Sequence, residues 1–503
     1  TERFQMIDNI SWLAVYPEII LMVMGCVIVL ADLGVSSFRR TGTYVLTMLT
    51  LAVVAIMQAM YAANGNTVYG WSNMVVSDAM GNWLKCFATL SMMVALVYAR
   101  PYSADRGMLR HGGELFSLAI FSLLGIFIMI SSNHLLVLYL GLELLTLSSY
   151  AMVALRRDHE ASVEAAMKYF VLGAMASGFL LYGMSMIYGA TGTLDIGEIF
   201  KVIDAGETKP QILVFGLVFL VAGLAFKLGA VPFHMWIPDV YHGAPTSIAL
   251  ILGSAPKLAA FAVVMRLLVD GLLPLAADWQ QMLAFMAIAS LLIGNLVGVV
   301  QTNLKRMLAY STISHMGFLL LGLMSGVVNG EVDTGTAQTA YSAAMFYVVT
   351  YVLTALPAFG IILLLAREGF ESEEIADLAG LNQRSPLYAA IMTICMFSLA
   401  GIPPLVGFYA KLSVLEALVA TGSSFNIALA VFAVVMSLIG AFYYLRVVKV
   451  MYFDKPLTAG PIVAPMDVRS VLSFNGLLVL ILGIFPGGLM GLCADAIVRA
   501  LTS

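Results

Sequence analysis

Residues 223–245 read GLAFKLGAVPFHMWIPDVYHGAP. An apolar run carries Lys227 and then meets Gly229 and Pro232, with Pro238 and Pro245 beyond. Proline cannot donate the interior amide hydrogen bond and crowds the preceding turn, so a helix is predicted to break here. Inside a bilayer, a break with a lysine beside it is tolerated where the chain faces protein or a wet cavity. His234 and His242 fall in the same stretch and can take up and release protons near neutral pH. His234 is close to Lys227 in sequence, whereas His242 reads more simply as a loop residue on the solvent side.

The rest of the chain supports a membrane setting. Of 503 residues, 61% are hydrophobic and only 11% are charged. Mean hydropathy is +0.96. Soluble domains carry about a quarter charged residues, so a polytopic, all-α membrane protein is expected. The net charge of -4 makes nucleic acid a poor partner. Cys26, Cys86, Cys395 and Cys493 are far apart in apolar runs, without metal-ligand spacing, and read as buried, inert thiols.

A span takes roughly 20 apolar residues. About fourteen are predicted, at 13–32, 42–62, 77–99, 114–131, 134–152, 163–189, 209–231, 245–269, 279–300, 305–325, 338–365, 386–411, 424–450 and 470–495. The first follows Glu2, Arg3 and Asp8 without a cleavage pattern and reads as a retained span. With both termini outside, fifteen loop cations fall inside, among them Arg39, Arg106, Arg156, Lys305, Arg367 and Arg446. Four fall outside: Arg3, Lys201, Lys209 and Arg499. That bias is what the positive-inside rule requires.

Charges within spans are costly and point to transport. Glu143 lies in NHLLVLYLGLELLTLSSY (133–150), as either a structural carboxylate or a relay carboxylate. Lys168 is four residues from Glu164, on one helix face. It makes either an interfacial pair with Glu164 or an intramembrane pair with Glu143. Lys257, behind Pro256, has an uncharged neighbourhood and reads as a water-linked central relay. Lys411 follows Gly401, Pro403 and Pro404, a second predicted break whose order is opposite to that at Lys227, as an inverted repeat would give. It reads either as a relay lysine or as a snorkelling lysine near a helix end. His315 shares a span with Tyr310, Ser311, Thr312 and Ser314, as a core histidine or a relay. Lys85 and Arg266, near outside helix ends, are assigned to snorkelling or local pairing.

Four segments together carry a family resemblance: GLELLTLSSYAMVAL (141–155), EAAMKYFVLGAMASGFLLYG (164–183), FKLGAVPFHMWIPDVYHGAP (226–245) and GIPPLVGFYAK (401–411). The chain resembles, over nearly its whole length, the antiporter-like proton-translocating subunits of NADH–quinone oxidoreductase, respiratory complex I. Lysine at 411 and the short tail after the last span fit the subunit N type. Subunit M typically has glutamate at the position of Lys411, and subunit L has a long lateral helix. The resemblance implies two inverted five-helix repeats with two broken helices. The implied units are a three-helix segment (1–113), a first repeat (114–270), a second (271–450) and a loop with the last span (451–503). It implies a coupling pair in Glu143 and Lys168, a first-half lysine in Lys227, a connecting lysine in Lys257 and an exit-side lysine in Lys411. NADH, FMN, iron–sulfur clusters and quinone are implied for other parts of the complex, with no cofactor in this chain. The implied partners are subunits M and K and membrane lipids. The implied location is the bacterial inner membrane, with both termini periplasmic. A cation/proton antiporter and a non-transporting scaffold remain as other readings.

Overall fold

The computed structural model describes residues 12–206, 208–328, 334–366, 370–457, 460 and 462–502. The expectations placed on Glu2, Arg3, Asp8 and Arg367 lie outside these residues. Among the described residues, twelve helices are long and apolar enough to cross a membrane. Two shorter apolar helices, Tyr16–Asp32 and Pro386–Ala400, join them. The observed bounds follow the predicted ones to within several residues, except at the fourteenth predicted span, where Met466–Ile484 ends and a separate helix Gly487–Thr502 follows, and at the twelfth. There the helix stops at Ala400 and a separate one, Val406–Ala420, carries Lys411. Lys411 is therefore inside a helix, not at the tip of one. A two-stranded antiparallel hairpin, Val68–Gly70 with Val75–Ser77, was not expected. It pairs on through Val75 with Ser132, between two helices.

Close backbone approach organises the bundle. A Cβ on Gly125 would lie 2.8 Å from the Gly141 carbonyl, and one on Gly183 would lie 2.9 Å from that of Gly216. Small residues let neighbouring membrane helices pack this tightly, which supplies dispersion contacts where lipid offers no hydrophobic drive. The core lies along Thr246–Gly271 and Leu304–Met324, whose most apolar stretches are 94% buried. Ser424–Phe453 is only 28% buried and turns Leu438 and Phe442 outward. Such an apolar rim suits lipid and would be an aggregation hazard in water. Cys26, on the peripheral helix Tyr16–Asp32, is exposed, contrary to the expected burial. The other three cysteines are buried.

Candidate functional site

The helix Pro210–Leu228 ends at Gly229, whose φ of +80° closes the turn through bonds to the carbonyls of Ala225 and Phe226. Pro386–Ala400 ends in the same manner at Gly401, φ +86°, on Phe397 and Ser398. Only glycine enters this left-handed region without steric cost. Each ending leaves unpaired carbonyls and a partial negative charge, where an ammonium is stabilised.

Lysines take up those ends. Lys257 Nζ donates to the Leu228 carbonyl at 2.7 Å and sits 5.5 Å from the Trp236 ring. Lys411 Nζ donates to the Ala400 carbonyl at 3.0 Å and to Ser437 Oγ at 2.7 Å. By these contacts Lys411 resembles Lys257 rather than Lys227. Lys227 Nζ donates instead to Thr146 Oγ1 at 3.1 Å. Thr146 is one turn from Glu143 on the same helix, Leu135–Val153. Glu143 Oε1 is buried without a hydrogen-bond partner. None of the ion pairs among the described residues includes Lys227, Lys257 or Lys411.

Lys168 does not meet Glu143. Its ammonium pairs with Glu164 at 2.8 Å and with Asp239 at 3.2 Å, and its side chain is 45% exposed. The i,i+4 carboxylate is in reach, and the short helix Trp236–Gly243 brings Asp239 alongside. Asp239 is held on its other oxygen by Arg306 at 2.9 Å.

His315 is buried between two phenols, with Nδ1 2.6 Å from Tyr347 Oη and Nε2 3.1 Å from Tyr444 Oη. Tyr444 also bonds Ser311 and Tyr443, and Tyr443 donates to Asn295. Thr312 bonds Tyr351 at 2.7 Å. A small cavity lined by His315, Tyr351, Ser398, Gly407 and Ala410 separates this cluster from the helix of Lys411. Every hydroxyl and imidazole here can both give and accept a proton. His234 stands apart from this cluster, and its Nδ1 is buried without a partner.

Several polar residues escaped the sequence reading. Lys305, counted as a loop cation, is 1% exposed and 2.6 Å from Glu373. Glu371 accepts from Arg106 and Tyr102 at 2.8 Å and from Arg156 at 2.9 Å. Burial works to raise its carboxyl, but these donors outweigh it and hold it below its usual value. His242 lies 3.9 Å from Glu373, and burial lowers it from its usual value while Glu373 pulls the other way. Asn295 and the Tyr443–Tyr444 pair had only their polarity within apolar runs as a signal. Lys85 and Arg266 are locally paired rather than snorkelling: Lys85 with Glu18 at 2.6 Å, and Arg266 with Asp78 at 2.8 Å and Asp270 at 3.3 Å. Among the described residues, no cluster of His, Cys, Asp and Glu is arranged to hold a metal ion.

The family described as NADH:quinone oxidoreductase/Mrp antiporter, TM, matches residues 132–437. NADH-quinone oxidoreductase subunit N of Polaromonas naphthalenivorans is 68% identical over 98% of both chains. That of Herminiimonas arsenicoxydans is 56% identical over 99% of this chain and all of the other. Among solved structures, a chain of respiratory complex I from Thermus thermophilus with bound aureothin aligns with a TM-score of 0.79 at 30% identity. It covers 95% of this chain and 99% of that one. A chain of the Mrp complex from Dietzia aligns with a TM-score of 0.82 at 19% identity, covering 97% and 96%, and shares the fold.

A helical membrane bundle with lysines set on helix ends in its interior defines an antiporter-like membrane protein. The chain belongs to the NADH:quinone oxidoreductase/Mrp antiporter family and, within it, to the NADH-quinone oxidoreductase subunit N group.

Proposed function

We propose that this chain translocates protons as a membrane subunit of NADH-quinone oxidoreductase. Its interior relay is then driven by electron transfer elsewhere in the complex. The observation that carries the reading is the set of buried lysines held by neutral oxygens: Lys227 by Thr146, Lys257 by Leu228 and Lys411 by Ala400 and Ser437. An ammonium held by a carbonyl or hydroxyl leaves no stranded carboxylate when it loses its proton. It can therefore cycle between charged and neutral forms.

In this reading the chain has fourteen spans, two of them broken near Gly229 and Gly401. Spans four to eight (114–270) and nine to thirteen (271–450) form inverted repeats, after an N-terminal unit (1–113) and before a last span (451–503). Both termini face the periplasm. Glu143 tunes Lys227 through the turn that carries Thr146, and Lys168 serves as the coupling cation at the flank. Protons reach Lys227 from inside and pass through water to Lys257. They continue by His315 to Lys411 on the exit side, and His234 lines the first break. Subunits M and K and membrane lipids are the neighbours that fit. Lifting one charge against 100 mV costs about 2.3 kcal/mol, so NADH oxidation by partner subunits must supply the drive.

Lys227→Met in the assembled complex tests this. Proton pumping in sealed vesicles is expected to fall relative to wild type. An unchanged proton yield with normal NADH–quinone turnover would remove Lys227 from the path.

A further inference from the structure

We propose a second inside-facing proton inlet, resting on the relay reading above. It opens at Glu373, passes Lys305, and follows Thr246, Tyr241 and the Thr312–Tyr351 pair to His315, without using Lys227. The inside is the face to which the loop-cation bias assigns Lys305 and the loop that carries Glu371 and Glu373.

The mouth is built and fixed. Glu373 is partly exposed and its carboxylate meets the buried Lys305 ammonium at 2.6 Å, while half-exposed His242 faces the other oxygen. Lys305 Nζ also donates to the Ala244 carbonyl at 3.2 Å. The loop is pinned by Leu304 N to the Glu373 carbonyl and by Ile375 N to that of Thr302. Glu371, two residues away, is held by Arg106, Arg156 and Tyr102. A buried lysine in this position either staples the loop or carries protons inward.

The groups beyond it favour the second role. Thr246 Oγ1 and Tyr241 Oη are buried without hydrogen-bond partners, as is Ser372 Oγ beside the two glutamates. Thr246 and Tyr241 flank Ala244, the residue whose carbonyl Lys305 binds. A buried hydroxyl left unpaired costs about 1–3 kcal/mol, and ordered water is the usual remedy. Two orphans within three residues of the carbonyl that Lys305 binds point to water there. The helix Trp236–Gly243, which carries Tyr241, packs against Leu304–Met324, which carries Thr312. Thr312 and Tyr351 are joined at 2.7 Å, and the Tyr351 ring lies 5.1 Å from that of His315. Lys305 and Thr312 are seven residues apart on one helix, about 10 Å by helical rise. A few waters and the Tyr241 hydroxyl span that distance.

Each step balances. Glu373 takes a proton from inside water. The Lys305 ammonium gives its proton to the inner water file and becomes an amine. Protonated Glu373 then returns a proton to that amine, restoring carboxylate and ammonium.

The test uses Tyr241→Phe and Glu373→Gln in the assembled complex, in sealed vesicles, with Lys411→Met as reference. Removing an unpartnered hydroxyl should leave assembly intact, so a structural role for Tyr241 predicts a wild-type proton yield. The inlet predicts that yield per NADH falls below wild type in both variants, with normal assembly, but stays above that of the Lys411→Met complex because the Lys227 inlet remains. Wild-type yields in assembled Tyr241→Phe and Glu373→Gln, with a lowered yield in Lys411→Met, overturn the inlet and leave the relay standing. A wild-type yield in Lys411→Met as well overturns the relay itself. If Glu373→Gln fails to assemble, Tyr241→Phe and Thr246→Val decide alone by the same readout.

Discussion

Lys257 and Lys411 hold equivalent chemical positions: each ammonium donates to the final carbonyl of a helix that stops at a left-handed glycine, Leu228 at 2.7 Å and Ala400 at 3.0 Å. The partial negative charge of a helix C-terminus steadies a cation there without fixing it as a carboxylate would. Lys85 is the contrast. It is equally buried but locked to Glu18 at 2.6 Å, and losing its proton would strand an anion.

Lys257→Gln is expected to keep a donor for the Leu228 carbonyl while losing the ability to carry a proton. The complex should assemble near wild-type amounts and pump less. Membrane immunoblots together with vesicle acidification check this. Full pumping by Lys257→Gln would mean that the lysine only caps a helix.

Thr146→Val removes the one hydroxyl bound to Lys227. A drop in proton yield is expected, with rescue by Thr146→Ser, which restores the oxygen but not the methyl. Equal yields in all three proteins would show that the contact is incidental.

Alanine at Gly229, Gly401 and Gly422 should separate strain from crowding. All three have positive φ, at +80°, +86° and +69°. At Gly422 nothing lies within 4 Å of a new methyl, so only the left-handed penalty of about 1–2 kcal/mol applies. At Gly229 the methyl collides with Ile237, and at Gly401 it comes within 2.9 Å of the Lys411 side chain. Melting of the detergent-purified complex should fall least for Gly422→Ala. Only Gly401→Ala should also disturb Lys411-dependent pumping.

The Lys85–Glu18 pair invites a double-mutant cycle. Lys85→Met leaves a buried carboxylate, which costs about 3–5 kcal/mol. Lys85→Met with Glu18→Leu should recover most of that. Additive losses in thermal unfolding would argue against direct coupling.

Glu371 gives a pH dependence with a defined sign. Its folded value is held below the ordinary 4.5 by Arg106, Tyr102 and Arg156. Its stabilisation is therefore present above about 4.5 and is lost as pH falls through the lower folded value. Glu371→Gln should flatten that acid limb in a melting series from neutral to acidic pH.

Helix positions were legible because hydrocarbon demands long apolar runs, and the helix ends at Gly229 and Gly401 are written in the local glycine and proline. The buried lysines were legible for the same reason, since charge within a span stands out. Which lysine meets which partner was not. Lys168 offered Glu143 and Glu164 equally, and the decision came from Asp239, 71 residues away, packing against it. The tyrosines around His315 were hidden because Tyr347 and Tyr444 come from different helices and only folding gathers them. Lys305 looked like an ordinary loop cation until the Glu373 loop folded over it.

Lys168, Glu164 and Asp239 form a charged seam on the flank of the bundle, each more than a third exposed. A solitary copy would leave these ionised groups on an open flank near the start of a span, an arrangement that a neighbouring protein surface or water relieves. The seam therefore distinguishes an orphan from an assembled subunit. A chain that has not found its neighbour displays that charge on its flank, a mark that an assembled subunit no longer shows.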